Sequence, residues 1–68
     1  MDRALWLHAL CNEVNTAGIA LCVAERALAA DDAETAAEFL QECHGSVARM
    51  RDLLKEDAGS AKVHDATL

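Results

Sequence analysis

Little in this chain is able to interrupt a helix. Proline is absent and glycine occurs three times, so the residues that break or bend helices are scarce. There is no tyrosine, tryptophan and phenylalanine occur once each, and Val, Ile and Thr are too few and too scattered to build strands. A sheet-based fold is excluded. Cations are also few: six Lys and Arg stand against twelve Asp and Glu, for a formal net charge of −6. A basic, phosphate-tracking surface for nucleic acid therefore has nothing to be made from. The longest apolar run, residues 17–24, falls well short of the ~20 residues that cross a bilayer, and the first residues show no basic segment followed by an apolar signal core. The expectation is a cytoplasmic protein with no membrane role. Cys11, Cys22 and Cys43 are odd in number and lie within helical patterns, which suits reduced, mostly buried thiols better than a disulfide framework.

What remains is alanine, leucine and glutamate, arranged with helical periodicity. Leu7, Leu10, Val14, Ala17, Leu21, Ala24 and Leu28 recur three and four apart and fall on one stripe of a first helix, about residues 2–29, with Asp2 as its cap. Asp31-Asp32-Ala33-Glu34 reads as an aspartate cap followed three residues later by a glutamate, and opens a second helix over about residues 32–57. Ala36, Leu40, Cys43, Val47, Met50 and Leu54 form its stripe, widened by Phe39 and Leu53. The intervening two or three residues force the helices antiparallel, and the two stripes are expected to face each other. Residues 58–68 read as a flexible C-terminal tail.

With 68 residues the chain holds one domain of the size that rarely stabilises itself alone. The first helix is apolar on nearly every side between Ala17 and Ala24, more than one partner helix covers. The expected fold is thus all-α, an antiparallel helical hairpin that forms a homodimeric four-helix bundle. Ala17, Gly18, Ala20 and Ala24 would let backbones approach closely at its middle, and Trp6 would plug the open end with its indole N–H turned to water.

Chemistry centres on one histidine. His8 lies beside the first stripe, Asn12 one turn on and Asn15 a turn further, so a polar strip runs along the apolar one. Folding the hairpin brings Arg49, Arg51 and Lys55 to the same end, where positive charge could stabilise a phosphoryl group or meet an acidic partner. His8 and Cys11 supply at most half of a zinc site, and no Gly-rich nucleotide loop or Walker pattern is present, so neither a metal nor a cofactor is expected.

His8-Ala9-Leu10-Cys11-Asn12 resembles the His-acidic-Leu-x-Asn/Thr motif of the dimerisation and histidine-phosphotransfer hairpin of sensor histidine kinases. Val14 to Leu21 is similar to that family's apolar continuation, and Ala36 to Leu54, with Ala48-Arg49-Met50-Arg51-Asp52-Leu53-Leu54, resembles its second helix. The likeness spans about residues 4–56. It implies a dimeric bundle in which His8 accepts a phosphoryl group and a response-regulator receiver domain docks alongside, with Asn12 next to the acceptor and Asn15, Arg49, Arg51 and Lys55 on the partner's side. Two departures stand out. Ala9 occupies the place of the acid that activates the histidine, and Glu13 the place often held by proline. In a second register Asn12-Glu13-Val14-Asn15-Thr16 aligns with the motif, asparagine replaces the histidine, and the module is inert. The other class of function is a non-enzymatic adaptor dimer resembling the ROP bundle.

Overall fold

The computed structural model describes residues 2–61. It contains two helices, α1 (Arg3–Ala29) and α2 (Ala33–Ala61), packed antiparallel against each other as a hairpin. The stretch expected as a tail from residue 58 begins within α2, and 62–68 lie outside the described residues.

Local chemistry sets the ends of the helices. The Asp2 carboxylate accepts from the Leu5 amide at 3.2 Å and satisfies one of the otherwise unpaired N–H groups of α1. At the other end, the Asp31 amide donates to the Leu28 carbonyl and the Asp32 amide to the Ala27 carbonyl, at 3.1 and 2.8 Å. That pair of bonds is a Schellman closure, which requires a left-handed residue after the cap, and Asp31 fills it at φ 61°. Aspartate is one of the few residues besides glycine that tolerates this conformation.

The same short turn starts α2. Asp32 Oδ1 accepts from the Thr35 amide at 3.1 Å, so Asp32 is the cap, one residue later than the Asp31-to-Glu34 pairing expected. Hydrogen bonding from Thr35 holds the Asp32 carboxyl below its ordinary range. Asp32 thus ends one helix with its amide and begins the next with its side chain, which leaves no slack in the turn.

The helices meet along a line of small side chains. Ala17, Ala20, Ala24 and Ala27 from α1 are buried against Ala36 and Ser46 from α2, with Ala24 and Ala36 1% exposed and Ser46 fully buried. Small residues let the two backbones come close; leucines there would hold them apart. Seven of the larger apolar residues are displaced to one flank, which corrects the expectation that the two stripes face each other, while Ile19, 65% exposed, and the half-buried Phe39 lie on the other. Of the residues assigned to the core, Ala17 and Ala24 are buried, and Leu10 and Met50 half-buried. Leu7, Val14, Leu21, Leu28, Leu40, Val47 and Leu54 are between 39% and 56% exposed.

Trp6 closes the open end. Its ring is buried, Arg3 stacks over it at 5.3 Å, and its Nε1–H donates to the Leu53 carbonyl at 2.8 Å instead of reaching water. A buried indole N–H needs such a partner. This bond and the Glu13–Arg49 pair fix the register of the hairpin, with Leu7 about level with Leu54, Val14 with Val47 and Leu21 with Leu40.

Candidate functional site

The hairpin is one helix layer thick, with a short dimension of 12 Å, so each of its two broad faces is open. Both carry apolar side chains, and they differ in charge. On one face a shallow groove runs between the helices, lined by Thr16, Ile19, Phe39, Glu38, Glu42 and Arg49. Arg49 Nε donates to Glu13 Oε2 at 2.9 Å across the groove, and Arg49 Nη2 donates to Ser46 Oγ at 3.2 Å. The Glu13 side chain is 17% exposed but that of Arg49 is 55% exposed, so solvent screens the pair from one side. It ties the two helices at mid-length.

The opposite face is apolar. Helix geometry puts positions seven apart on one line, and Leu7, Val14, Leu21 and Leu28 follow that spacing on α1, as do Ala33, Leu40, Val47 and Leu54 on α2. Both lines lie on the flank away from the groove residues, so they form one continuous surface. No Asp, Glu, Lys or Arg stands on either line, and the residues bordering them are Cys11, Gly18 and Glu25 on α1 and Ala37, His44 and Arg51 on α2.

The residues expected to form a phosphotransfer site are spread over three directions. His8 is exposed on the side of α1 turned away from α2, in a strip with Cys11, Asn15, Gly18 and Cys22. Asn12 is exposed toward the groove face, where its carbonyl accepts from Thr16 Oγ1 at 2.9 Å. Arg49 turns to Glu13, while Arg51 and Lys55 are exposed on other sides of α2. The level of these cations along the hairpin matches His8; their direction does not. Rotation about α2 separates them, and a reading of the sequence by height alone misses it.

Sequence reasoning also missed Glu13 and Ser46 as the partners of Arg49. One signal was available: Glu13 falls seven residues after Trp6 and seven before Ala20, a charged residue in line with buried ones, which demands a partner. The cysteines differ from expectation too. Cys11 and Cys22 are exposed and only Cys43 is half-buried; all three are free thiols. Gly18 does not serve close packing between α1 and α2, since a Cβ added there meets nothing within 4 Å.

Among the described residues no group of three or more His, Cys, Asp or Glu could hold a metal ion. Helix α1 is long and apolar enough to cross a membrane by length and composition, because alanines and leucines outweigh the few polar residues that interrupt its runs. Comparison with known protein families, curated proteins and solved structures finds no match to this chain.

Proposed function

We propose that this chain is a small interaction module of signalling that works as a homodimeric four-helix bundle, burying its apolar face against a copy and docking a partner protein with what stays exposed. The uncovered face carries this reading. Covering what remains exposed of each of its leucines and valines is worth roughly 1 kcal/mol per side chain, whereas an alanine methyl in the α1–α2 contact contributes about 0.8 kcal/mol at most. Much of the chain's apolar surface is therefore left uncovered by the hairpin. A surface of this extent is rare on a monomer and marks an association site.

In such a dimer the groove face and the outward side of α1 stay open. The groove rim bears Glu38 and Glu42, in keeping with the net charge of −6. Free thiols at Cys11 and Cys22 suit a reducing compartment such as the cytoplasm.

A second reading adds chemistry to the same scaffold, and the exposure of His8 favours it. As in the hairpins it resembles, a receiver domain's aspartyl phosphate would pass its phosphoryl group to an imidazole nitrogen of His8. The P–O bond to aspartate breaks, a P–N bond forms, and the carboxylate leaves. Neither a carboxylate at position 9 nor the Arg49 guanidinium supports that step here, so docking without transfer is the simpler function.

Two measurements test these readings. Sedimentation equilibrium at micromolar concentration should give a dimer, and Leu21→Asp, which buries an unpaired charge in the interface, should give a monomer with reduced helicity. A wild-type chain that stays a folded monomer refutes the bundle. Incubation with a phosphorylated receiver domain should leave acid-labile label on the chain only if transfer occurs; label that disappears in His8→Gln assigns the acceptor, and no label leaves the docking function alone.

A further inference from the structure

Resting on the dimer reading above, we infer that the two hairpins meet with their loops at opposite ends, each helix antiparallel to its own counterpart, about a two-fold axis level with Ala17–Gly18 on α1 and Cys43–His44 on α2. A closed pair can be formed in two ways. If the axis runs along the helices, the loops share one end and α1 lies on the copy's α2. If it runs across them, the loops point apart, α1 lies on the copy's α1, and α2 on the copy's α2. The apolar face distinguishes the two.

Layer composition is the first discriminator. Within one hairpin the face has four levels: Leu7 with Leu54, Val14 with Val47, Leu21 with Leu40, and Leu28 with Ala33. With loops at one end, each level meets itself. The bundle then stacks four leucines, four valines, four leucines, and finally two leucines with two alanines. With loops at opposite ends, the Leu7–Leu54 level meets the copy's Leu28–Ala33, giving three leucines and an alanine, and the Val14–Val47 level meets the copy's Leu21–Leu40, giving two leucines and two valines. Layers of the second kind differ by about one carbon; those of the first differ by up to about six, and a close-packed interior between straight helices favours the even filling.

Charge is the second discriminator, and it is independent of volume. Loops at one end would bring Arg51, which borders the apolar face, and Lys55 level with the start of the copy's α1, beside Arg3 and His8, and Glu34 level with the stretch that holds Glu25 and Arg26. Cations would then stand level with cations at the open end. Loops at opposite ends bring Arg51 and Lys55 level with the first turn of the copy's α2, where Asp31, Asp32 and Glu34 stand. Arg51 then stands level with acids of the copy instead of with cations, which favours this orientation even where each pair adds little affinity.

The axis itself supplies the test, because it brings Gly18 near the copy's Gly18 and His44 near the copy's His44. Both positions are exposed, and a Cβ at Gly18 meets open space in the hairpin. In a background with Cys11, Cys22 and Cys43 replaced by alanine, checked for helicity and for dimer by sedimentation, Gly18→Cys and His44→Cys are treated separately and as a mixture with oxidant or a short bismaleimide. Each variant alone should become mostly covalent dimer. Covalent dimer that forms only in the mixture would mean that α1 lies on the copy's α2 and would overturn the inference. A sedimenting dimer that yields no covalent product in any of the three samples would overturn it as well. Failure of the dimer reading is seen apart from these, as a folded monomer before any cross-linking. A monomer that binds phosphatidylcholine vesicles would identify lipid as the occupant of the face, and would defeat both.

Discussion

Enlarging Ala24 should weaken this protein even though it makes the chain more apolar. Ala24 is 1% exposed, in line with Ala17, Ala20 and Ala27, and pressed toward Ala36 and Ser46. Ala24→Leu adds three carbons at a buried position between the helices, and making room for them pushes α1 and α2 apart. Separation would stretch the Trp6–Leu53 hydrogen bond and the Glu13–Arg49 pair, which hold the register at two heights. Overpacking of this kind costs roughly 1–3 kcal/mol. For a domain of this size that is a fall in melting temperature of about 5–20 °C. Circular dichroism melts at 222 nm provide the assay, run at several protein concentrations so that dissociation of a dimer is separated from unfolding. Ala48→Leu is the control: Ala48 is exposed on α2, away from α1, and the change should stay within about 0.5 kcal/mol. An Ala24→Leu melt at or above that of the parent protein would refute the small-residue contact and restore the leucine stripe as the hairpin's core.

Two further outcomes follow from the turn and from α1. Asp32→Ala should lower helicity and melting temperature, and the parent protein should show the same weakening on acidification: because folding depresses the Asp32 pKa, the stabilisation is complete above the ordinary aspartate range and fades as pH falls through the lowered value; a variant whose acid-side loss matches that of the parent would show the cap is idle. Gly18→Ala should stabilise by about 1 kcal/mol through helix propensity, since nothing opposes the added methyl in the hairpin, and a lower melting temperature would show that another backbone comes close there.

The helices and their reversal were legible in the sequence. Period, caps and breakers act within a few residues, so Asp2, the Asp31–Asp32 turn and the absence of proline were enough to mark two helices and an antiparallel return. Even there, Asp31 and Asp32 could not be told apart, since only the Schellman bonds decide which aspartate takes the left-handed position and which becomes the cap. For the site, His8 was legible as an exposed residue beside an apolar strip, but its separation from Arg49 was not, because Arg49 answers to Glu13, 36 residues away in the chain.

By itself, then, the order of residues determined that this chain forms two helices, that they fold back on each other, and that more apolar surface exists than one hairpin can use. Tertiary structure decided which of two overlapping apolar stripes became the core. Alanines and leucines share the same helical period, so periodicity ranks them equally; the choice falls to approach distance, and close contact of two backbones favours the small side chains, with Trp6, Glu13 and Ser46 making hydrogen bonds or burial available only at that spacing. Leu7, Val14, Leu21, Leu28, Leu40, Val47 and Leu54 were left along one open flank as a consequence.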